Sequence, residues 1–160
     1  MNEEQIPKQP KNNTNKTYII RSKQNQHYII DICGGGRYLR SPIVIMNENN
    51  YEENEIEEKQ SWIWIFKDGM IINQKTKHVL TASNEDDPSR MEIIQDQQTG
   101  ELNQIWEIET MNKKNKSIIW NKEYPDLCMT IENDEYSDDT CLLLLPFNSS
   151  SSQYFIIDEN

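Results

Sequence analysis

A glycine-rich stretch close to an aspartate is the part of this sequence best suited to holding a ligand. It contains, in chain order, Asp31, Gly34, Gly35, Gly36, Arg37 and Tyr38. Because glycine has no side chain, a ligand can closely approach backbone N–H groups there. Arg37 or Tyr38 can add a donor or a flat stacking face. The same residues also suit a tight turn in which the glycines adopt positive φ and Asp31 caps the turn.

Few other residues point to chemistry. His27 and His78 each begin a predicted strand, where they can be a metal pair or a base, or simply equivalent polar strand starts. Cys33 lacks a Cys/His/Asn context, and the chain has no Gly-x-Ser-x-Gly or His-Glu-x-x-His motif. We therefore expect a protein that is not an enzyme and has no cofactor and no metal.

Two acidic runs, 48–58 and 132–139, hold six and five carboxylates. Oxygen-rich loops can bind calcium, but neither run has the Asp-x-Asp-x-Asp-Gly pattern of a dedicated loop. We interpret both as solvated surface loops. The first run lies between two predicted strands in the same part of the chain as Asp31, so it could wall or gate a site there.

The elements that position these residues are predicted to be strands. The chain of 160 residues has 22 Ile and 18 Asn but a single alanine, Ala82, and only 5 Gly. Isoleucine favours strands, alanine favours helices and asparagine suits turns. One domain of the all-β class is therefore expected over 17–160, after a disordered polar tail at 1–16.

Charge and cysteine content limit the partners and the compartment. The formal net charge is -11, which disfavours nucleic acid and anionic membranes because both are bound largely through Lys and Arg. No apolar run approaches the roughly 20 residues of a membrane span. Three cysteines cannot all pair within one chain, and the polar amino terminus lacks the apolar core of a secretory signal. We expect a cytoplasmic protein without membrane insertion.

Short apolar runs separated by turn-like clusters predict twelve strands. They lie at 17–22, 27–32, 42–46, 62–66, 70–74, 78–82, 91–95, 104–109, 117–121, 127–131, 141–145 and 153–157. A glutamine stands two residues before an aromatic residue three times, in 60–62, 104–106 and 153–155, at intervals of 44 and 49 residues. Each triplet falls in the last strand of a group of four. Three four-stranded repeats, about 17–66, 67–112 and 113–158, predict a β-trefoil with Trp62, Trp106 and Phe155 packed at its centre.

The three triplets, with Asn103 before Gln104, resemble the Gln-x-Trp (QxW) repeats of the ricin B-type lectins over residues 17–158. The stretch 30–36 looks like the second strand and following turn of cytoplasmic fungal members. The resemblance implies that an Asp ending the second strand accepts sugar hydroxyls, that a ring on the third strand stacks on the sugar, and that an Asn before the triplet completes the pocket.

No repeat keeps this full set. The first repeat has Asp31, but Met46 stands at the ring position and Lys59 at the Asn position. The second repeat keeps Asn103 and Gln104, with Thr81 for the Asp and Gln95 near the ring position. The third repeat has Thr130, Leu145 and Ser152 at the three positions, in that order.

The first repeat is therefore the expected ligand site. The resemblance implies a carbohydrate-binding module with at most one neutral glycan, of galactose or N-acetylgalactosamine type. The acidity of the chain disfavours sialylated or sulfated sugars. The alternative is a β-trefoil without sugar binding, which inhibits a cysteine protease or binds another protein through the turn at 34–36.

Overall fold

The structure is a computed structural model that describes residues 16–51, 60–85, 87–111 and 115–160. Twelve strands form over these ranges and confirm the twelve predicted from sequence, with ends shifted by no more than two residues. They are β1 (Tyr18–Ser22), β2 (Tyr28–Ile32), β3 (Ile43–Asn47), β4 (Trp64–Lys67), β5 (Met70–Asn73), β6 (Val79–Ser83), β7 (Glu92–Asp96), β8 (Trp106–Met111), β9 (Lys116–Asn121), β10 (Leu127–Ile131), β11 (Thr140–Pro146) and β12 (Phe155–Glu159).

The strands form a β-trefoil, as predicted. Six of them pair as a barrel, through β4–β1, β1–β12, β12–β9, β9–β8 and β4–β5. The Trp106 N–H closes the circle by donating to the Gly69 carbonyl at 2.7 Å. The other six form the hairpins β2–β3, β6–β7 and β10–β11, which meet one another at one end of the barrel. The first unit is β1–β4, the second β5–β8 and the third β9–β12.

Equivalent hydrogen bonds relate the three units. The backbone N–H groups of Gln74, Lys122 and Lys23 donate to the carbonyls of Ile63, Ile105 and Tyr154, in that order, at 2.9, 2.9 and 3.0 Å. Each bond joins the residue just after the first strand of one unit to the residue just before the last strand of the preceding unit. These bonds fix which residues of the three units correspond.

The core consists mainly of aliphatic side chains and three rings at corresponding positions. Trp64, Trp106 and Phe155 are 0%, 5% and 0% exposed. The indole N–H groups of Trp64 and Trp106 donate to the Ile30 and Leu80 carbonyls, both at 3.1 Å.

The prediction that Trp62 supplies the first ring is wrong. Trp62 is only partly buried and stands where Gln104 and Gln153 stand in the other units, so the first unit has Trp-x-Trp instead of Gln-x-Trp. Side chains two residues apart on an extended chain point to the same side, so strand alternation does not distinguish Trp62 from Trp64. The preceding residue does distinguish the two tryptophans. Ile63, Ile105 and Tyr154 precede the core rings of the three units, whereas Ser61 precedes Trp62.

Three features discussed above lie wholly or largely outside the described residues: the tail, of which 1–15 are not described, residues 52–58 of the first acidic run, and Lys59. In the part of the chain that the structure describes, no helix is long and apolar enough to cross a membrane.

Candidate functional site

A cavity of about 680 Å³ lies at the outer surface of the first unit, where β2 ends and β4 begins. Its lining combines two carboxylates, two aromatic rings, a lysine and two glycines. The lining residues are Asp31, Ile32, Gly34, Gly35, Met46, Tyr51, Ser61, Trp62, Lys75 and Asp139.

Asp31 owes its position to strand alternation in β2. Ile30 and Ile32 point into the core, with 0% and 1% exposure, so the side chain between them points outward. Its Oδ1 accepts hydrogen bonds from the Ser61 hydroxyl at 2.6 Å and the Ile32 N–H at 2.7 Å. Its Oδ2 accepts from the Tyr51 hydroxyl at 2.5 Å. The carboxylate is therefore held in one orientation.

The environment of Asp31 also changes its acidity. The residue is only 4% exposed, and burial raises the pKa of its carboxyl above the ordinary value. The hydrogen bonds from Ser61, Tyr51 and Ile32 and the charge of Lys75 act in the opposite direction but do not cancel the effect of burial.

The rings of the cavity come from places where sequence reasoning did not expect them. Tyr51 follows a short 3₁₀ turn after β3, and Trp62 lies just before β4. The two rings stack with centroids 4.0 Å apart and planes inclined by 17°. Met46, at the expected ring position on β3, lines the cavity without supplying a ring.

The assignment of Lys59 to the Asn position of the first unit is wrong. Because Trp62 corresponds to Gln104, the residue that corresponds to Asn103 is Ser61. Ser61 is 3% exposed and contacts Asp31 directly. Once Trp64 is taken as the core ring, its spacing from Ser61 and Trp62 identifies these two residues as part of the site. No local feature of the sequence marks Tyr51.

The predicted glycine-rich site is divided between the cavity and a turn. Gly34 and Gly35 line the cavity, and the Lys75 Nζ donates to the Gly35 carbonyl at 2.9 Å. Gly36, Arg37 and Tyr38 lie outside the lining. All three glycines have positive φ, between 68° and 81°, as the turn interpretation required.

The corresponding place in the second unit differs chemically. A cavity of about 340 Å³ is lined there by Thr81, Asn103 and Gln104, together with four carboxylates: Glu85, Asp96, Glu101 and Glu123. The Gln104 amide donates to Thr81 and to the Gln97 carbonyl, and the Asn103 amide donates to the Ala82 carbonyl. These side chains hold the turn before β8 in place.

In the third unit, Gln153 likewise donates to Thr130 and to the Pro146 carbonyl. Residues 16–51, 60–85, 87–111 and 115–160 therefore place a carboxylate beside stacked rings in the first unit alone.

The cysteine thiols are poor nucleophiles. Cys33, Cys128 and Cys141 are unpaired. Burial raises the pKa of the Cys128 thiol to about 11 and raises the pKa values of Cys33 and Cys141 as well. A thiol with a raised pKa stays protonated near neutral pH, and the protonated thiol is unreactive. The described side chains form no group of three or more potential metal ligands.

Comparison with known proteins relates the chain to others through its fold. No protein-family model and no curated protein matches the sequence. Among solved structures, the earthworm R-type lectin C-half in complex with GalNAc has a TM-score of 0.69 and 17% identity, over 91% of this chain and 99% of the lectin chain. The designed threefold-symmetric protein ThreeFoil has a TM-score of 0.74 and 13% identity, over 90% of this chain and 99% of its own.

A mosquitocidal holotoxin has a TM-score of 0.77 and 22% identity over 91% of this chain, which spans 17% of the toxin chain. At these identities the likeness concerns the fold. The chain therefore has the β-trefoil fold that it shares with R-type lectins.

Proposed function

We propose that this protein is a carbohydrate-binding module, not an enzyme, and that its first unit binds one neutral sugar of galactose or N-acetylgalactosamine type. The observation that carries the proposal is the placement of a fixed carboxylate, Asp31, and a stacked pair of rings, Tyr51 and Trp62, in the lining of one cavity. A neighbouring structure in complex with GalNAc supports the choice of ligand class.

The chemistry of the cavity suits a sugar. A flat ring packs against the apolar C–H face of a pyranose, and each carboxylate oxygen has two lone pairs. Within the described residues, Oδ2 of Asp31 accepts one hydrogen bond, from Tyr51, which leaves one lone pair for a sugar hydroxyl. Lys75 adds donors at the same edge. The hydrogen bonds from Ser61 and Tyr51 orient the carboxylate before a ligand arrives.

The test is a titration of the protein with lactose and N-acetylgalactosamine by calorimetry, beside a glycan-array screen. Trp62→Ala removes the ring and is expected to weaken binding at least about tenfold, because stacked aromatic contacts are worth on the order of 1 kcal/mol beyond the area they bury. Asp31→Asn keeps the shape of the side chain but removes its charge, and is expected to weaken binding to a similar degree.

Trp120→Ala is the matched control, because Trp120 is a partly buried tryptophan of the third unit that does not line this cavity. Equal losses for Trp62→Ala and Trp120→Ala, or no binding of any neutral sugar by the unsubstituted protein, would contradict the proposal.

One observation favours the alternative, a protein-binding or protease-inhibiting role. Tyr38 and Leu39, in the connection after the glycine turn, are 68% and 44% exposed. Adjacent exposed apolar side chains are typical of protein contacts. Inhibition of papain by a protein that binds no glycan would favour this role over the sugar site. The cytoplasmic location stays a prediction from the sequence.

A further inference from the structure

A second cavity, of about 490 Å³, lies where the first and third units meet and has a different chemical character. It is lined by Lys23, Gln24, Lys116, Ser149, Ser151 and Tyr154. No carboxylate belongs to this described lining, although the whole chain has a formal net charge of -11. The site is separate from Asp31 and does not depend on the proposed sugar site.

Both lysines are organised around Tyr154. The Lys23 backbone N–H donates to the Tyr154 carbonyl at 3.0 Å. The Lys116 Nζ lies 4.3 Å from the centroid of the Tyr154 ring. That ring also makes a T-shaped contact with Phe147, with centroids 6.0 Å apart. Lys23 is thus fixed next to Tyr154 through its backbone, and Lys116 through the contact of its ammonium group with the ring, which lowers the entropic cost of presenting Lys116 to a ligand.

The donors of the cavity are largely uncommitted. Among residues the structure describes, Lys23 and Lys116 form no ion pair, and the side chains of Gln24 and Ser149 form no hydrogen bond. The Ser151 hydroxyl donates to Asp134 at 3.3 Å.

The wall that carries Ser149 is itself held in place. Gln153 Oε1 accepts from the Asn148 N–H at 2.9 Å, and Gln153 N–H donates to the Ser150 carbonyl at 3.1 Å. The serine donors are therefore presented by an ordered turn.

The fold itself does not require this arrangement. The residue that corresponds to Tyr154 is Ile63 in the first unit and Ile105 in the second, and the residue bonded to it is Gln74 or Lys122. The combination of two lysines with a tyrosine therefore occurs at the third-unit junction alone among these three corresponding places.

We propose that this cavity binds an oxyanion, namely a carboxylate, sulfate or phosphate group that is either part of a saccharide or a free anion. Two ammonium groups that form no ion pair with the described residues attract such a group, and the Ser149 hydroxyl and Gln24 amide add neutral donors to it. The net charge of the chain predicts that acidic sugars are disfavoured. However, charges farther away than about 8 Å are largely screened at physiological salt, so the adjacent lysines dominate.

The test uses the full chain carrying Trp62→Ala, which removes the ring of the first-unit site. It is titrated at physiological salt, the condition under which the remote charges are screened, with NMR detection, against lactose, 6'-sialyllactose, sulfated lactose and inorganic phosphate. We expect the acidic ligands to bind at least about tenfold more tightly than lactose, and added salt to weaken them.

Adding Lys23→Gln and Lys116→Gln together should weaken the binding of the acidic ligands at least about tenfold. Lys122→Gln is the matched control, because Lys122 corresponds to Lys23 at another junction between units and lines neither proposed site; it should change the affinity less than about twofold. Tighter binding of acidic saccharides than of phosphate identifies an acidic saccharide as the ligand, and the reverse order identifies a free anion; both support the oxyanion site.

Equal binding of lactose and 6'-sialyllactose would overturn the proposal, as would an affinity that does not respond to the two lysine substitutions. The proposed sugar site in the first unit is tested separately, since its absence would appear as a lack of lactose binding by the unsubstituted protein.

Discussion

At the scale of single residues, Asp31 combines good hydrogen bonds with an unfavourable environment for its charge. Three donors contact its two oxygens, yet burial still raises the pKa of the carboxyl. A raised pKa means that the folded protein binds a proton more tightly than the unfolded chain does. The ionised Asp31 is therefore kept at a cost in stability, as expected of a carboxylate retained for binding.

The first prediction concerns the pH dependence that follows. For an acid whose folded pKa lies above its unfolded value, stability falls as the pH rises from the unfolded pKa, near 3.8, through the folded pKa. Asp31→Asn removes this loss, and its amide can still accept from Ser61 and Ile32. We expect the substituted protein to have a larger free energy of unfolding than the unsubstituted one at pH 7, with the difference vanishing below pH 3.8.

Urea unfolding at a series of pH values measures this difference. A substituted protein that is less stable at pH 7, or a difference that is independent of pH, would show that the carboxylate is a net stabilising group.

At the scale of elements, the turn after β2 shows how the glycines serve the fold. Gly34, Gly35 and Gly36 have φ values of 68°, 71° and 81°, a region that costs other residues roughly 1 kcal/mol or more. The space around them differs. A Cβ on Gly36 would lie 2.7 Å from Thr76 Cγ2 and 3.1 Å from Ile32 Cδ1, whereas a Cβ on Gly34 would meet nothing within 4 Å. Gly36 therefore serves packing, and Gly34 leaves the cavity open.

The second prediction compares alanine at these two glycines. Gly34→Ala should cost about 1 kcal/mol of unfolding free energy, from backbone strain alone. Gly36→Ala adds overpacking against Thr76 and should cost about 2 to 4 kcal/mol in total. Chemical denaturation measures both. Similar losses for the two variants would mean that the turn shifts to accommodate the extra carbon at Gly36.

At the scale of the whole molecule, ion pairs connect the units beyond strand pairing. Arg90, just before β7 in the second unit, binds Glu92 at 3.0 Å and forms a two-pronged pair with Glu132 of the third unit, in which Nη2 and Oε2 lie 2.7 Å apart. The hydrogen bonds from Arg90 lower the pKa of Glu132 below its ordinary value. A lowered pKa means that the charged form stabilises the folded protein.

The third prediction tests this connection between units. Because the pKa of Glu132 is lowered in the folded protein, its carboxylate adds to the free energy of unfolding above its unfolded pKa of 4.5. This stabilisation is lost as the pH falls through the folded pKa. Glu132→Gln should lower the free energy of unfolding by about 1 kcal/mol at pH 7, since the pair is partly exposed. Glu107→Gln, at an exposed glutamate of β8, is the control. An equal loss at pH 7 and well below pH 4.5 would contradict the ion-pair explanation.

How much of this architecture was predictable depends on the range of the interactions involved. All twelve strands follow from alternation and turn residues within five or six positions, and the outward placement of Asp31 between Ile30 and Ile32 follows from the same local rule. The choice between Trp62 and Trp64 did not follow from that rule, because residues two apart on an extended chain point to the same side, so either indole could face the core. It was decided by the packing of β4 against the hairpin, where Trp64 donates to the Ile30 carbonyl of β2.

The sequence by itself thus determined the strands, their arrangement in three repeats and the position of one outward carboxylate, because each is encoded by neighbours along the chain. Only the tertiary structure decided what surrounds that carboxylate. Tyr51 and Ser61 reach Asp31 from 20 and 30 residues further along, and Lys23, Lys116 and Tyr154 meet from three separate strand ends. Such contacts depend on how whole strands pack and where loops return, and no local pattern of side chains records either.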